Sequence, residues 1–249
     1  MDPVIILQAF GDNYIYLYRD GQGDAFVVDP GESKVVLEAL KKHQLNLQAA
    51  LITHHHFDHT GGVDELKKYT GCVVWQPQAK LGDGDVVEIC GAKIQVITTP
   101  GHTRDSVCYY FRPNEEHRGI VFTGDTLFIG GCGRIIEADG RTMWQSLQKI
   151  ASLPDETLVY PGHDYTLENY QFATQTVPKY QALKHRLQEI ENLQSHDFPT
   201  VPSTIAQEKA TNIFLLAYNP EIKAAADLSN APNAEVFVHL RKLKDIFIW

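Results

Sequence analysis

The periodicity of the apolar residues changes near residue 165, and this change limits the folds open to the chain. Before it, short apolar runs typical of strands, such as VIILQAF and GIVFTGD, alternate with turn residues and segments of helical spacing. After it, four segments have helical spacing and none is typical of a strand. Because the strands come partly in hairpins, one turning at Gly91, and partly with intervening helices, we expect mixed sheets covered by helices. The prediction is an α/β (α+β) domain over residues 1–165 and a small all-helical domain over residues 166–249.

Composition and charge exclude several classes of protein. The 249-residue chain is 43% hydrophobic and 21% charged, a balance that allows a buried core. A net charge of −9 argues against a nucleic-acid partner, and no apolar stretch reaches the roughly 18 residues of a membrane span. The N-terminal segment lacks the features of a signal peptide, and the four cysteines include no CxxC pair. We therefore expect a cytoplasmic protein with reduced cysteines and no membrane association.

Residues 53–62 read THHHFDHTGG and follow an apolar strand directly. His54 and His56 are two apart, so in an extended segment their side chains leave on the same face and can bind one metal ion. Asp58 and His59 come after the chain turns, which suits them to a second ion nearby. His55 should point away from both ions, and the two glycines allow the sharp turn into the next helix.

Three later strands also end at a histidine or an aspartate, in the segments TTPGHT, FTGDT and YPGHD. Loops at strand ends can bring such residues together, and imidazole and carboxylate are ligands of zinc and related metals. A carboxylate shared by two ions lets seven residues supply two four-ligand sites, and Asp125 is the candidate for that bridge. A single structural ion is a weaker alternative, because closed structural sites favour cysteine. The predicted metal ligands are His54, His56, Asp58, His59, His102, Asp125 and His163.

These motifs resemble those of the metallo-β-lactamase superfamily, in which THHHFDH matches the HxHxDH signature. Within it, the whole chain is similar to the glyoxalase II (hydroxyacylglutathione hydrolase) family, through FGDNYIYLY, VVDPG, GDTLFIGGCGR, GHDYT and the closing RKLKD. The resemblance implies an αββα sandwich with a two-metal site at one edge. It assigns His54, His56, His102 and Asp125 to one ion and Asp58, His59, Asp125 and His163 to the other. It also implies that glutathione is held by Arg134, Tyr165, Arg241 and Lys244.

Glutathione carries two carboxylates, so an acidic protein needs a local basic patch to hold it. Arg241 and Lys244 share a face of a predicted helix, although their charges alone fit a solvated helix end equally well. Two residues depart from the family pattern. Ile136 replaces a frequent tyrosine that contacts glutathione, and Asp105 replaces a more usual glycine. Neither departure affects a predicted metal ligand.

The resemblance implies hydrolysis of S-(2-hydroxyacyl)glutathione, such as S-D-lactoylglutathione, in methylglyoxal detoxification. A hydroxide held between the two ions would attack the thioester carbonyl, with Asp125 bridging the ions and Asp58 orienting the hydroxide. We expect zinc as the divalent metal, while the same ligands also accept iron or manganese. The small-molecule thioester is the expected partner, and the protein is expected to be a monomer.

Rival interpretations are a lactonase, another thioesterase, a β-lactamase or a persulfide dioxygenase of the same superfamily. A β-lactamase would normally be exported, whereas a persulfide dioxygenase would use one iron and usually lacks so long a helical tail. A non-catalytic protein that binds metal or a glutathione conjugate is a further alternative. It has no need of two adjacent metal sites, and a turnover assay separates it from an enzyme.

Overall fold

The first sheet has five strands, and its carboxyl-terminal edge carries the His-rich segment. The computed structural model describes residues 3–77, 81–113, 117–196 and 198–247. The strands lie side by side in chain order, antiparallel for the first three and parallel from the third to the fifth. They are β1 (Val4–Ala9), β2 (Asn13–Arg19), β3 (Asp24–Val28), β4 (Asn46–Leu51) and β5 (Val73–Trp75). The helices between them are α1 (Ser33–His43), α2 (Phe57–Thr60) and α3 (Val63–Thr70).

The second sheet has six strands in the order β13-β12-β9-β8-β7-β6, and only the β12–β9 pairing is parallel. Its strands are β6 (Val86–Ile89), β7 (Ala92–Thr98), β8 (Val107–Phe111), β9 (Ile120–Gly124), β12 (Leu158–Pro161) and β13 (Ser203–Thr204). A two-stranded hairpin, β10 (Leu127–Phe128) with β11 (Gly131–Cys132), and the helix α4 (Gly140–Ala151) connect β9 to β12. Both sheets are mixed, as predicted. The β6–β7 hairpin turns at Cys90 and Gly91, which have positive φ angles of 51° and 70°, as a tight two-residue turn requires.

Side chains that alternate in direction along β2 and β3 pack in two separate cores, one on each side of the first sheet. Their odd and even positions face opposite sides of the sheet, and both sides are buried. One set packs in the large core shared with the second sheet, namely Tyr14, Tyr16, Tyr18, Phe26 and Val28. The other set packs under α1 and α3, namely Ile15, Leu17, Ala25 and Val27. Two apolar faces explain why these strands read as continuous apolar runs, and the αββα sandwich is confirmed.

The chain after residue 165 is mainly helical. Its helices are α5 (Thr166–Thr176), α6 (Gln181–Ser195), α7 (Ile205–Thr211), α8 (Pro220–Ala225) and α9 (Asn233–Asp245). The prediction that no strand occurs here was wrong, because β13 pairs with β12 at the edge of the second sheet. Two residues are too few to show a strand period in the sequence. Apolar side chains of these helices join the same core as the second sheet. The division into domains at residue 165 stays a prediction.

Among the described residues, no helix has the length and apolar character to cross a membrane.

Candidate metal centre

The seven predicted ligands converge at one edge of the sandwich. His54 and His56 follow β4, and the short helix α2 carries the next two ligands. The other three follow β7, β9 and β12 of the second sheet, so the group spans both sheets. The helix α2 was not predicted, since four residues are too few to show helical spacing. The structure brings together all of His54, His56, Asp58, His59, His102, Asp125 and His163.

Three imidazoles form the first cluster. His54 Nε2 lies 3.1 Å from His56 Nδ1, and His56 Nδ1 lies 3.1 Å from His102 Nε2. The carboxylate of Asp125 joins them, with its Oδ2 3.3 Å from His102 Nε2. Four donor atoms that face one another at these distances can surround a single ion.

The second cluster contains two imidazoles and two carboxylates. His59 Nε2 lies 3.3 Å from His163 Nε2, and Asp58 Oδ2 lies 3.4 Å and 3.3 Å from these two nitrogens. Asp125 Oδ1 is 3.4 Å from His59 Nε2 and 3.5 Å from His163 Nε2. The two oxygens of Asp125 therefore face different clusters, an arrangement that would allow its carboxylate to bridge two ions.

The residues present fit a pair of metal ions. Within the described part of the chain, the buried Oδ1 of Asp125 has no hydrogen-bond partner. A buried carboxylate oxygen without a partner is costly, and a divalent cation between the facing donors would satisfy it. The donors are nitrogen and oxygen only, a set that suits zinc, iron or manganese.

Electrostatics at the two clusters also favour a cation. Burial lowers the pKa of His54 well below its usual value and lowers that of His56, so both imidazoles are neutral, the form that binds metals. Burial alone would raise the pKa of Asp125, but the imidazole of His59 brings it below the usual range. Burial acts in the other direction on His59, whose pKa it would lower, yet the carboxylates of Asp125 and Asp29 raise this pKa well above its usual value. The second cluster thus attracts positive charge, which either protons or a metal ion can supply.

Asp29, which is not among the predicted site residues, orients His59. It is 3% exposed, and its Oδ2 accepts hydrogen bonds from His59 Nδ1 at 3.0 Å and Thr53 Oγ1 at 2.7 Å. With Nδ1 engaged, Nε2 of His59 is left to face the cluster. Two residues on, Gly31 lies so close to Asp58 that a Cβ there would overlap the Asp58 carbonyl. The available signal was VVDPG, in which a buried strand ends at a carboxylate.

His55 points out of the centre, as its position between two ligands predicts. Its Nδ1 is 3.0 Å from Asp105 Oδ1, and its Nε2 is 3.5 Å from Glu137 Oε1. The two carboxylates contact opposite nitrogens of the ring, so the three groups form a bridge between loops rather than a site around one point. Ile136, next to Glu137, is 57% exposed. The side chain of Asp105 thus contacts His55, a contact that a glycine at this position could not make.

Tyr165 lies beside the second cluster, and its ring stacks on His163 with centroids 5.0 Å apart and an interplanar angle of 7°. The backbone of Arg134 contacts the first cluster, since its carbonyl lies 3.0 Å from His102 Nδ1. Arg241 is 5% exposed, and it donates to the Cys132 carbonyl at 2.8 Å. Two of the four predicted substrate residues, Tyr165 and Arg134, therefore contact a proposed metal ligand directly.

Lys244 is partly buried, with its Nζ 5.8 Å from the ring centroid of Phe172. Burial, and then the positive charges of Arg241 and Arg134, lower its pKa to about 8, while Glu168 and Asp245 act in the opposite direction. The repulsion shows that the three cations lie near one another. In a protein of net charge −9 they form a local positive cluster.

Comparisons with known proteins agree with this geometry. The profile of the metallo-beta-lactamase superfamily matches residues 9–84 and 75–163, and that of the hydroxyacylglutathione hydrolase C-terminus matches residues 164–247. Hydroxyacylglutathione hydrolase of Chromohalobacter salexigens is 41% identical over 258 residues, covering 99% of this chain and 100% of that protein. The chain belongs to the hydroxyacylglutathione hydrolase family. The family resemblance of its motifs is thereby confirmed, and the rival members of the superfamily are not favoured.

Solved structures resemble this hydroxyacylglutathione hydrolase family member over most of its length. ETHE1 from Myxococcus xanthus superposes with a TM-score of 0.65 at 26% identity, covering 96% of this chain and 90% of that one. The protein TTHA1623 in a di-iron-bound form superposes with a TM-score of 0.59 at 26% identity, covering 86% of this chain and 100% of that one. The second comparison shows that a related sandwich holds two metal ions.

Proposed function

We propose that this protein hydrolyses S-(2-hydroxyacyl)glutathione, with S-D-lactoylglutathione as the substrate in methylglyoxal detoxification. The observation that carries the proposal is the Asp125 carboxylate, whose two oxygens face two separate ligand clusters. Relatives that align with the chain from end to end are hydroxyacylglutathione hydrolases, which supports the substrate class. The products are a 2-hydroxy acid and glutathione.

We propose zinc for both clusters, with iron or manganese as alternatives that the same donors accept. His54, His56, His102 and Asp125 would hold one ion, and Asp58, His59, Asp125 and His163 the other. When bound, the ions would make hydroxide available near neutral pH and polarise the thioester carbonyl. The di-iron form of a related structure supports two ions and keeps iron open as an alternative.

The residues of the chain supply positioning rather than acid catalysis. The leaving group is a thiolate, whose parent thiol has a pKa of about 8.5, so no protein acid is needed to protonate it. The side chain of Asp58 is 37% exposed, whereas that of Asp125 is 10% exposed. Asp58 can therefore accept a hydrogen bond from an attacking water, while Asp125 fixes the two clusters relative to each other.

The glutathione moiety is proposed to lie against Arg134, Tyr165, Arg241 and Lys244, within the helical region of residues 166–249 and the loop facing it. The positive cluster formed by the three cations matches the two carboxylates of glutathione. The two terminal guanidinium nitrogens of Arg241 already contact Cys132 and Asp245, so its charge contributes while Arg134 and Lys244 reach the ligand. This assignment is supported by charge and proximity.

Replacing His56 or Asp125 by alanine tests the centre. His56→Ala should lose the ion of the first cluster, and Asp125→Ala should weaken metal binding at both clusters. Each variant should lose at least 100-fold in kcat/KM for S-D-lactoylglutathione, while His43→Ala, a change on α1 away from the centre, should retain metal and activity. Full activity without metal would contradict the proposal. Cleavage of a lactone or a β-lactam with no cleavage of glutathione thioesters by the wild type would contradict the substrate class.

We further propose that the protein is cytoplasmic and monomeric. All four cysteines are free, as a reducing compartment would leave them. All seven proposed metal ligands come from one chain, so no second copy is needed to complete the centre. Size-exclusion chromatography with light scattering would test the oligomeric state, and a mass near 56 kDa (twice the 28.0 kDa chain) would contradict it.

A further inference from the structure

The hairpin between β1 and β2 is attached to the loop that carries His163. The amide of Tyr14 donates to the Gly162 carbonyl at 2.8 Å, and the amide of Asp164 donates to the Asp12 carbonyl at 2.9 Å. Asn13 lies between these two bonds and forms an isolated antiparallel bridge with His163. Backbone contacts thus fix the hairpin on both sides of a proposed metal ligand, independently of the Asn13 side chain.

The side chain of Asn13 contacts another proposed ligand, on a different loop. Asn13 is 3% exposed, and its Nδ2 donates to Asp58 Oδ2 at 3.0 Å and to the Asp58 carbonyl oxygen at 3.3 Å. One amide group therefore contacts both the carboxylate and the backbone of the same residue. This double contact restrains the rotation of the Asp58 side chain relative to its own backbone.

The oxygen that Asn13 contacts is the one that belongs to the second cluster. Asp58 Oδ2 also lies 3.3 Å from His163 Nε2 and 3.4 Å from His59 Nε2. A carboxylate oxygen has lone pairs for more than one partner, so it can accept from Asn13 and still face the cluster. An amide N–H does not titrate in the working range, so Asn13 is a donor at every such pH.

We infer that Asn13 is a positioning residue that holds Asp58 at the second metal ion, an inference that rests on the metal centre of the proposed function. The two histidines of that cluster have comparable outer contacts, His59 with Asp29 and His163 with Asp12. Outer partners of metal ligands typically change metal affinity by about 10- to 100-fold when they are removed. Asp58 needs such a partner most, because its side chain is the most exposed of the four.

Two variants test the side chain without disturbing the hairpin. Asn13→Ala removes the amide, and Asn13→Leu removes the donor while keeping a similar volume. Asn46→Ala is the matched control, since it removes an amide from an exposed strand position. Thermal unfolding of the metal-free proteins reports folding, and titration with Zn²⁺ against a chromophoric chelator reports the affinity of each equivalent.

The measurement is made in two backgrounds that isolate the clusters. In His56→Ala, which retains the second cluster, either Asn13 variant should weaken Zn²⁺ binding by about 10- to 100-fold. In His163→Ala, which retains the first cluster, the same variants should leave the affinity unchanged. Co²⁺ bound in the first background should also show an altered visible absorption spectrum when Asn13 is replaced.

Unchanged Zn²⁺ affinity in the His56→Ala background would overturn the inference. So would an equal loss in both backgrounds together with a lower melting temperature of the metal-free protein, because that pattern indicates a structural role alone. Failure of the proposed function looks different. A wild-type protein that binds fewer than two Zn²⁺ ions, or an Asp125→Ala variant that still binds two, would contradict the centre itself.

Discussion

Asp29 shows how a single buried carboxylate supports the centre. Both of its oxygens accept hydrogen bonds, from the Thr53 backbone amide at 2.7 Å, from the Thr53 hydroxyl and from His59. Asp29→Ala leaves these buried donors without partners, so the free energy of unfolding of the metal-free protein should fall by about 3 kcal/mol or more. Denaturant titration measures the change, and Zn²⁺ affinity should fall with it because His59 loses its orientation.

Thr53→Val is the control for Asp29. It removes the hydroxyl, which contacts Asp29 Oδ2 at 2.7 Å and His54 Nδ1 at 3.0 Å, but keeps the backbone amide and the contact between Asp29 and His59. It should therefore cost about 1 kcal/mol. If the two variants lost equal stability, the contacts of Asp29 with His59 and with the Thr53 backbone amide would contribute nothing.

Lys244 should give glutathione binding a pH dependence. Its pKa is lowered to about 8, first by burial and then by Arg241 and Arg134, while Glu168 and Asp245 act in the opposite direction. The side chain is therefore charged below pH 8 and loses its charge above it. If that charge holds a glutathione carboxylate, KM for S-D-lactoylglutathione should rise several-fold between pH 7 and pH 9.

Lys244→Arg separates this effect from the titration of the substrate or the metal centre. An arginine stays charged throughout, so the rise in KM should disappear, whereas Lys242→Arg on the exposed face of α9 should preserve it. An identical pH profile in wild type and Lys244→Arg would remove Lys244 from the binding site.

At the scale of elements, side chains of α5, α7 and the residue after α7 form hydrogen bonds with the turn of the β10–β11 hairpin. Asn169 Nδ2 donates to the Ile129 carbonyl at 3.1 Å, and Asn212 Nδ2 donates to the Gly131 carbonyl at 2.9 Å. Glu208 Oε2 accepts from the Gly130 amide at 2.8 Å. The chain leaving this turn supplies the Cys132 and Arg134 carbonyls, which contact Arg241 and His102. The helices therefore help to place the backbone partner of one proposed ligand.

Replacing Glu208 tests these hydrogen bonds between the helices and the hairpin turn. Glu208 is fully buried, and burial raises its pKa although Ser203, Gly130 and Asn212 donate to it. Glu208→Ala should lower the free energy of unfolding by about 3 kcal/mol, because three buried donors lose their acceptor. Glu208→Gln keeps an acceptor and should cost far less.

The two variants also differ from wild type in their pH dependence. A carboxyl group whose folded pKa is raised makes folding less favourable as the pH rises from its unfolded value of about 4.3 through the folded value. The free energy of unfolding of wild type relative to that of Glu208→Gln should therefore decrease as the pH rises above about 4.3, the unfolded pKa. A difference that is constant from pH 4 to pH 8 would contradict a buried, ionising Glu208.

The sequence predicted the elements that have a clear apolar pattern, including the short strands β5, β6 and β12, and missed α2, α8, β10, β11 and β13. Strands β2, β3, β8 and β9 have apolar runs because both faces are buried, and α1 has a clear apolar face. The segments α2, β10, β11 and β13 have four residues or fewer, so no period can be read from them. Tertiary contacts rather than local preference stabilise these pieces.

For the molecule as a whole, the candidate ligands were predictable because each lies in a segment that follows a strand, and strand ends meet at one edge. Their supporting contacts were not. Asn13 and Asp58 are separated by 45 residues, and Gly130 and Glu208 by 78. Such contacts depend on how the two sheets and the helices pack, and ordinary spacing in the chain gives no sign of them. The residue roles at the centre stay predictions until metal binding is measured.

The centre spans both sheets, so metal binding should stabilise the whole fold. His54 and His56 leave the first sheet, while His102 and His163 leave the second. An ion that binds only the folded state stabilises it by about 2.7 kcal/mol at a free concentration of 100 Kd. For a chain of this length each such ion should raise the melting temperature by about 5–10 °C. Calorimetry with and without a chelator measures this shift, and Asp125→Ala should lose most of it. A wild-type melting temperature that does not respond to chelation would mean that the two sheets are not linked through metal.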